Sequence, residues 1–264
     1  MAIEIKQVET DGFKMKYCTF GTGSKTIVMI PGISLLSTMM FADTTAMAYK
    51  ELWDDYTIYL FDRREDMPDI YSVHDMAVDT ARAVKALGIE NAYFFGTSQG
   101  GMIIQVIAIE FPELVSKMVL GSTVSCVKNL ESKAILKKWV ELAEAGNIHE
   151  LNISFAEDVY SENTFRRFKR AISAMDRMVK PEDIRRFIIM SKGIHDFDIR
   201  DRLNDIHCPV LLIGSKKDKV FDLARMKQTV DILGCESYFY DDYSHCVYDE
   251  APDYKLRIKE FFDK

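Results

Sequence analysis

The pentapeptide GTSQG, at residues 96–100, has the pattern Gly-x-Ser-x-Gly and stands between an apolar run, Ala92–Phe95, and a helical pattern. On a sharp strand-to-helix turn a serine is presented at the helix N-terminus, where backbone N–H groups favour a developing negative charge. Such a turn strains the serine backbone, and glycine is expected on both flanks because side chains there would collide. The placement predicts that Ser98 is a nucleophile and not a surface serine in a glycine-rich turn.

A nucleophilic serine requires a general base and a carboxylate that orients that base. Among the five histidines, His245 follows the last strand-like run and precedes the final helix, a position at which ligand chemistry occurs in open α/β sheets. Asp218 stands just after the run Val210–Ile213 and gives the chain order serine, acid, histidine. Asp222 is the alternative acid, but its place at the start of a helical pattern favours a capping role.

Two backbone N–H groups are needed to bind the oxyanion of an acyl-transfer intermediate. We expect one from Gln99, next to the nucleophile, and the other from Ile33 in the loop after the third strand, with Ser34 as the alternative donor. Residues near this loop and in the middle of the chain are expected to bind substrate through an apolar wall. They are Ser34, Leu35, Trp139, Phe155, Tyr160, Phe165 and Phe187.

Three further clusters are weaker candidates for chemistry. The sequence HDFD at residues 195–198 offers one histidine and two aspartates in a helical connection, so no metal site is expected. Cys246 lacks a base of its own, which favours packing over thiol catalysis. The basic cluster at residues 166–170 lacks the wide basic face that nucleic-acid binding requires and is expected to be a solvated helix.

Strand-like and helix-like patterns alternate along much of the chain and must position these residues. Two period-two runs predict a β-hairpin, Ile3–Val8 with Phe13–Phe20. Short apolar runs predict six further strands, at 26–30, 57–61, 92–95, 118–120, 210–213 and 237–240. Helices are predicted at 38–53, 73–87, 101–111, 221–233 and 254–262. The expected fold class is α/β, an eight-stranded, mostly parallel sheet with helices on both faces.

The alternation stops between about residues 122 and 203, where no strand is predicted. Helices are predicted there at 130–145, 153–178 and 182–192, the last opened by Pro181 at its first position. We therefore expect a helical cap at 122–203, inserted into a core domain formed by residues 1–121 and 204–264. The substrate pocket is expected between the cap and the C-terminal edge of the sheet.

Composition and charge exclude several classes of protein. The 34 basic and 41 acidic residues give a net charge of −7, which excludes a globally basic nucleic-acid binder and argues against anchoring on anionic lipid. Residues 1–12 lack the apolar region of an export signal, and the uncharged run at 91–109 is interrupted by glycines. Five cysteines without CxxC spacing favour neither disulfides nor zinc. A cytoplasmic protein without nucleic-acid or membrane partners is expected.

With these motifs the chain resembles the α/β-hydrolase fold superfamily, in particular serine hydrolases with a helical cap. The shared motifs extend over almost the whole chain. They are the turn Pro31-Gly32, FDRR at 61–64, the Ser98 turn, the segment 201–214, Asp218 and His245. Pro31 stands where many members have a histidine. The serine at position 98 differs from the aspartate of haloalkane dehalogenases.

The resemblance implies an esterase-like enzyme that cleaves a small to medium acyl substrate through a Ser-His-Asp triad, with no metal or organic cofactor. It also allows a carbon–carbon bond hydrolase, or a cofactor-free perhydrolase or lyase, with the same residues. A ligand-binding receptor with slow or no turnover is the alternative of another class. Monomer and homodimer both stay open.

Overall fold

The computed structural model describes residues 2–10, 12–128 and 130–264. One sheet of eight strands crosses it in the order β1-β2-β4-β3-β5-β6-β7-β8. The strands are β1 Ile5–Thr10, β2 Phe13–Phe20, β3 Lys25–Ile30, β4 Tyr56–Arg64, β5 Ala92–Thr97, β6 Val115–Gly121, β7 Val210–Ser215 and β8 Glu236–Tyr240. From β4 to β8 every neighbouring pair is parallel, whereas β2 runs antiparallel to β1 and β4. The α/β fold with a mostly parallel eight-stranded sheet is confirmed.

The central strands are apolar without interruption because both faces of the sheet are covered. In β3, Val28 and Ile30 pack into the core on one face, while Ile27 and Met29 pack into the core on the other. All four side chains are almost fully buried. Continuous apolar runs therefore indicate strands here, as expected for a parallel sheet between two helical layers.

The helices outside the cap flank this sheet. They are α1 Ala42–Ala48, α2 Val73–Ala86, α3 Gln99–Glu110, α8 Leu223–Leu233, α9 Val247–Glu250 and α10 Tyr254–Asp263. Helix α2 starts at the predicted residue because Ser72 and Asp75 form a capping box, and Gly88 follows its end with φ of 69°. Among the described residues, no helix is both long and apolar enough to cross a membrane.

The single helix predicted at 38–53 is wrong. The segment contains a 3₁₀ turn at Thr38–Phe41, the short helix α1, and a second 3₁₀ turn at Lys50–Leu52. The backbone leaves helical geometry at Phe41 and Tyr49. These breaks follow from tertiary packing, since Met39, Tyr49 and Leu52 are all buried against the same face of the sheet.

The segment 122–203, which we call the cap, holds four α-helices: α4 Leu130–Glu144, α5 Ile148–Val159, α6 Glu162–Ala174 and α7 Pro181–Gly193. The single helix predicted at 153–178 is wrong, because Tyr160 is extended and Ser161 caps a new helix by accepting from the Thr164 N–H. Glu250, from outside the cap, accepts hydrogen bonds from the Ser161 N–H and hydroxyl and so fixes this break. Pro181 opens α7 as predicted.

The two ends of the cap meet in what we call the neck, residues 125–127 and 197–199. The Val127 N–H donates to the Phe197 carbonyl at 2.9 Å, and the Ile199 N–H donates to the Ser125 carbonyl at 2.9 Å. Cys126 and Asp198 form an isolated antiparallel bridge between these two hydrogen bonds. The neck thus pairs the chain segment that enters the cap with the segment that leaves it.

Candidate active site

Ser98 occupies the turn between β5 and α3 in a backbone conformation that is rare for a residue with a side chain. Its φ is 51° and its ψ is −122°. A Cβ on Gly96 would lie 2.5 Å from the Gly100 carbonyl oxygen, and a Cβ on Gly100 would lie 2.0 Å from that of Ile30. Both flanking glycines are therefore required by space, and the strained turn predicted from the sequence is present.

Asp218 and His245 are in direct contact. The Asp218 Oδ2 atom lies 2.8 Å from Nδ1 of His245, and both side chains are buried. The other carboxylate oxygen, Oδ1, accepts from the N–H groups of Val220 at 2.8 Å and Phe221 at 2.9 Å. The Phe221 ring also packs edge-on against the imidazole, with centroids 5.4 Å apart. These contacts fix the carboxylate and the ring orientation of His245 together.

The sheet places the serine on the same edge as this pair. Ser98, Asp218 and His245 follow β5, β7 and β8, which are parallel and are joined through β6. In the described part of the chain, His245 is hydrogen-bonded to Asp218 and not to Ser98. The structure thus brings the predicted acid and base into contact and sets the predicted nucleophile at the same sheet edge.

Asp222, the alternative acid, lies at the N-cap of α8. Its Oδ1 accepts a hydrogen bond from the Arg225 N–H at 2.9 Å. Side-chain oxygens at this position satisfy backbone donors of the first helical turn. The capping role predicted for Asp222 is confirmed.

The loop that carries His245 is attached to the cap. The Cys246 N–H donates to the Val159 carbonyl at the end of α5, at 2.8 Å. The Cys246 side chain is buried against the Tyr248 hydroxyl, and burial raises the pKa of its thiol well above the ordinary value. A thiol held protonated in this way is a poor nucleophile, which agrees with the packing role expected for Cys246.

The loop after β3, residues 31–34, lies directly against the serine. We call it the oxyanion loop, after the role that the sequence predicts for it. The Gly32 N–H donates to Oγ1 of Thr97 at 3.2 Å, and a Cβ on Gly32 would lie only 2.9 Å from the Cβ of Ser98. Gly32 therefore allows the backbone to approach Ser98, and the N–H of Ile33 follows in this loop. Gln99 is the first residue of α3, so its N–H lies at the start of that helix. The Ser34 hydroxyl donates to the Leu36 carbonyl at 2.6 Å.

A buried arginine beside these elements was missed by the sequence reasoning. Arg63, at the end of β4, is 2% exposed, and its Nη2 donates to the Pro31 carbonyl at 2.7 Å and to Oε1 of Gln99 at 3.2 Å. The Gln99 amide in turn donates to the Met190 carbonyl of α7 at 2.7 Å. The motif FDRR marks this position in the sequence, but an arginine in a motif does not by itself indicate burial.

A second contact joins the same strand end to the cap. Asp62 is buried and accepts a hydrogen bond from Nη2 of Arg186, on α7, at 2.9 Å. It also accepts from the Ser37 hydroxyl at 2.5 Å and from the Arg63 N–H at 2.7 Å. Helix α7 therefore contacts the core through a buried hydrogen bond, from Gln99 to Met190, and a partly buried ion pair, between Arg186 and Asp62.

The predicted aromatic wall is a row of rings inside the cap. Trp139 lies 4.7 Å from Phe155 and Phe155 lies 5.9 Å from Phe187, between ring centroids. Trp139 and Phe187 are fully buried, and the Trp139 Nε1–H donates to Asp158 at 2.9 Å. Phe155 is half-buried. Leu35, from the loop after β3, belongs to the same apolar cluster as these rings.

The site is closed in this conformation. Ser98, Asp218 and His245 are 6%, 8% and 3% exposed. A groove of about 260 Å³ lies elsewhere, with Val73, Ile109 and Phe197 among the residues that line it.

The cluster at 195–198 is held by ion pairs. The Asp198 carboxylate contacts Arg200 at 2.9 Å and Lys128 at 2.7 Å. Hydrogen bonds from Arg200 hold the pKa of the Asp198 carboxyl well below its ordinary value. Within residues 2–10, 12–128 and 130–264, no group of three potential metal ligands is found.

Comparison with known proteins places the chain in a family. A profile described as alpha/beta hydrolase fold matches residues 26–252. The chain belongs to the α/β-hydrolase fold family. One curated relative is a protein named carbamate hydrolase RutD from Rhizobium rhizogenes (strain K84 / ATCC BAA-868), which is 24% identical over 236 residues, covering 85% of this chain and 87% of the relative.

Solved structures of this family have the same fold as the chain. MGS-M2, an α/β-hydrolase enzyme from a Medee basin deep-sea metagenome library, superposes with a TM-score of 0.87 at 20% identity and 98% coverage of both chains. A thermophilic esterase from Thermogutta terrifontis superposes with a TM-score of 0.80 at 18% identity, again with 98% of both chains covered.

Proposed function

We propose that this α/β hydrolase is a serine esterase that cleaves small to medium carboxylic esters through an acyl-enzyme. The observation that carries the proposal is the strained Ser98 turn at the start of α3, on the same sheet edge as the hydrogen-bonded pair of His245 and Asp218. A nucleophile, a base and an orienting carboxylate are the groups that acyl transfer to water requires.

In the proposed reaction, His245 Nε2 takes the proton of the Ser98 hydroxyl while Oγ forms a bond to the substrate carbonyl carbon. The carbonyl electrons move onto oxygen, and the N–H groups of Gln99 and Ile33 stabilise this oxyanion. His245 then gives the proton to the departing alcohol. Water, deprotonated by His245, attacks the acyl-enzyme carbonyl, and His245 then gives this proton to Ser98 Oγ as the bond from Oγ to the acyl carbon breaks and the acid is released. Asp218 holds the imidazole in the required tautomer throughout.

The relatives support acyl transfer but differ in the group that leaves. One is named a carbamate hydrolase and another an esterase. The apolar row of Trp139, Phe155 and Phe187 favours an acyl chain without charge at its far end. An ester series of increasing acyl length, together with one activated carbamate, therefore makes a suitable substrate panel.

A fluorophosphonate probe tests the nucleophile. We expect a single adduct on Ser98, located by peptide mass spectrometry, and no adduct in Ser98→Ala. Ser122 is a matched control, because it follows the neighbouring strand β6, is buried and also has a positive φ of 43°. Ser122→Ala should label at the wild-type rate. An adduct on Ser122 or Cys246, or intact labelling of Ser98→Ala, would contradict the proposal.

A further inference from the structure

At the end of β4 the buried Asp62 carboxylate lies beside a buried guanidinium, that of Arg63, and a partly buried one, that of Arg186 from α7. Asp62 is fully engaged, since its oxygens accept from Arg186, the Ser37 hydroxyl and the Arg63 N–H. The guanidinium of Arg63 has no ion pair among the described residues, and its Nε is buried without a hydrogen-bond partner. Its hydrogen bonds go to two neutral oxygens, those of Pro31 and Gln99.

Burying a guanidinium without a direct ion pair is unfavourable for folding, and the charge of the neighbouring Asp62 offsets the effect of burial on Arg63 only in part. Burial lowers the pKa of Arg63 to about 10, so the group stays protonated at neutral pH. Helix α3 also begins at Gln99, which places the positive end of its dipole near the same guanidinium. The positive charge is therefore concentrated where the proposed reaction develops a negative one.

Arg63 also holds the backbone of the oxyanion loop. The peptide group between Pro31 and Gly32 is bound at both ends, its carbonyl by Arg63 and its N–H by Thr97. Fixing this peptide restricts the orientation of the next one, which carries the Ile33 N–H. The same Nη2 atom binds the Gln99 side chain, whose amide is bound to the Met190 carbonyl. One nitrogen thus contacts both segments that carry the proposed oxyanion donors.

We propose that Arg63 is a positioning residue for the oxyanion hole. It holds the backbone N–H groups of Ile33 and Gln99 in the orientation that binds the oxyanion, and it adds positive potential beside them. The proposal rests on the function proposed above. It assigns Arg63 no contact with substrate, because its contacts are with Pro31 and Gln99. Preorganised donors are effective only when they are aimed at the position of the oxyanion, so loosening them lowers the rate of the chemical step.

The test compares Arg63→Met with Arg64→Met. Arg64 is the matched control, because it is the next residue of β4 and also has a buried Nε without a partner, but it pairs with Asp79 at 3.1 Å. With a small activated ester, Arg63→Met should lower kcat by about 10²-fold, the lower end of the loss seen when one oxyanion donor is removed, with KM within about threefold. Arg64→Met should keep kcat within about threefold of wild type.

A second substrate separates positioning from a general loss of structure. In the thionoester of the same acid, the developing anion is on sulfur, a weak hydrogen-bond acceptor. Arg63→Met should therefore reduce the rate on the thionoester much less than on the oxygen ester. Equal losses on both substrates, or the same kcat as Arg64→Met, would overturn the proposal. Should Arg63→Met not fold, Arg63→Lys keeps the charge, and its kcat on the oxygen ester should fall by at least about tenfold.

The phosphonate probe distinguishes this proposal from the underlying function. If wild-type Ser98 is not labelled, the serine esterase proposal is wrong and the role of Arg63 falls with it. If wild-type Ser98 is labelled and Arg63→Met labels as fast as Arg64→Met, the esterase proposal stands and the role of Arg63 is wrong. We expect labelling of Arg63→Met to be slower by about the same factor as kcat.

Discussion

Single residues at this site are held by contacts that use nearly all of their polar atoms. Asp218 is the clearest case, because Oδ1 accepts two backbone N–H groups and Oδ2 faces His245. A carboxylate fixed in this way selects one tautomer of the histidine. The neighbouring Asp222 serves α8 instead, as an N-cap.

We predict that Asp218→Asn lowers kcat by about 10⁴-fold while the protein stays folded, since an amide at this position stabilises the wrong imidazole tautomer. Asp222→Asn is the control. Asparagine is as good an N-cap as aspartate, so kcat and thermal stability should both stay close to wild type. Steady-state kinetics on one soluble ester, with melting curves, compare the two. A larger loss of kcat in Asp222→Asn would show that the acid has been misassigned.

How far the sequence predicts this site depends on what each residue needs from the fold. Ser98 and Gly100 were predictable because the turn is local and its glycines are required by sterics. Asp218 was predictable from its position after a strand. The burial of Arg63 was not, because it depends on Pro31 and Gln99, which the sheet brings to the end of β4 from distant parts of the sequence.

At the scale of elements, strands were easier to predict than helices. A strand covered on both faces is apolar throughout, as β3 shows. This pattern can be recognised in the sequence without knowing which elements pack against the strand. The helix break at Tyr49 leaves no local signal, and the one at Tyr160 leaves only the N-cap residue Ser161 followed by Glu162. The second depends on Glu250, which binds Ser161 from beyond the cap. Such breaks are decided by tertiary contacts.

The cap aromatics differ in burial, and this sets the expected effect of each substitution. Trp139 and Phe187 are fully buried, so truncating them would destabilise the cap itself. Phe155 is half-buried, and we predict that Phe155→Ala changes the acyl-length preference in kcat/KM by about 1–3 kcal/mol, while a small activated ester is little affected. Phe168→Ala, on the exposed face of α6, should change neither.

A uniform loss of kcat/KM on every ester would mean that the cap positions the loop that carries His245 instead. The hydrogen bond from the Cys246 N–H to the Val159 carbonyl of α5 connects the cap to this loop and would account for such a loss. Comparing short and long esters in both variants separates the two roles.

The neck is predicted to make stability depend on pH. Arg200 and Lys128 bind the Asp198 carboxylate, and its lowered pKa means that its contribution is complete above the unfolded-state pKa of about 4. The contribution is lost as pH falls through the lower folded-state value. Asp198→Asn should therefore reduce the free energy of unfolding by about 1 kcal/mol at pH 7, and by less at pH 3, since solvent screens these partly exposed pairs.

Urea unfolding at both pH values checks this. Asp196→Asn is the control, because that side chain is largely exposed, and it should leave stability unchanged. A loss in Asp198→Asn that is equal at pH 7 and pH 3 would mean that the ion pairs are not its source.

At the scale of the whole molecule, the question is how the cap is held over a closed site. Two contacts join α7 to the core at the end of β4 and the start of α3: the partly buried ion pair of Arg186 with Asp62, and the buried hydrogen bond from Gln99 to Met190. Both lie next to Arg63. The contacts that hold the cap are linked to the oxyanion loop through Arg63, which binds both the Gln99 side chain and the Pro31 carbonyl, so cap opening and the geometry of that loop are expected to be coupled.

We predict that Arg186→Gln loosens the cap without unfolding the core. Removing Arg186 leaves the buried Asp62 carboxylate without its ion-pair partner. This costs about 2–3 kcal/mol, less than for a fully buried pair, because the Arg186 side chain is partly exposed. Amides of α7 should exchange with solvent faster, while those of β3 and β5 keep their protection. Arg185→Gln is a comparison one residue away, because Arg185 is exposed and binds exposed Asp69 and the Met67 carbonyl, and not Asp62. Equal exchange of α7 in both variants would show that the contacts of Arg185 hold the cap as firmly as the ion pair with Asp62, and faster exchange in β3 would show that cap and core open as one unit.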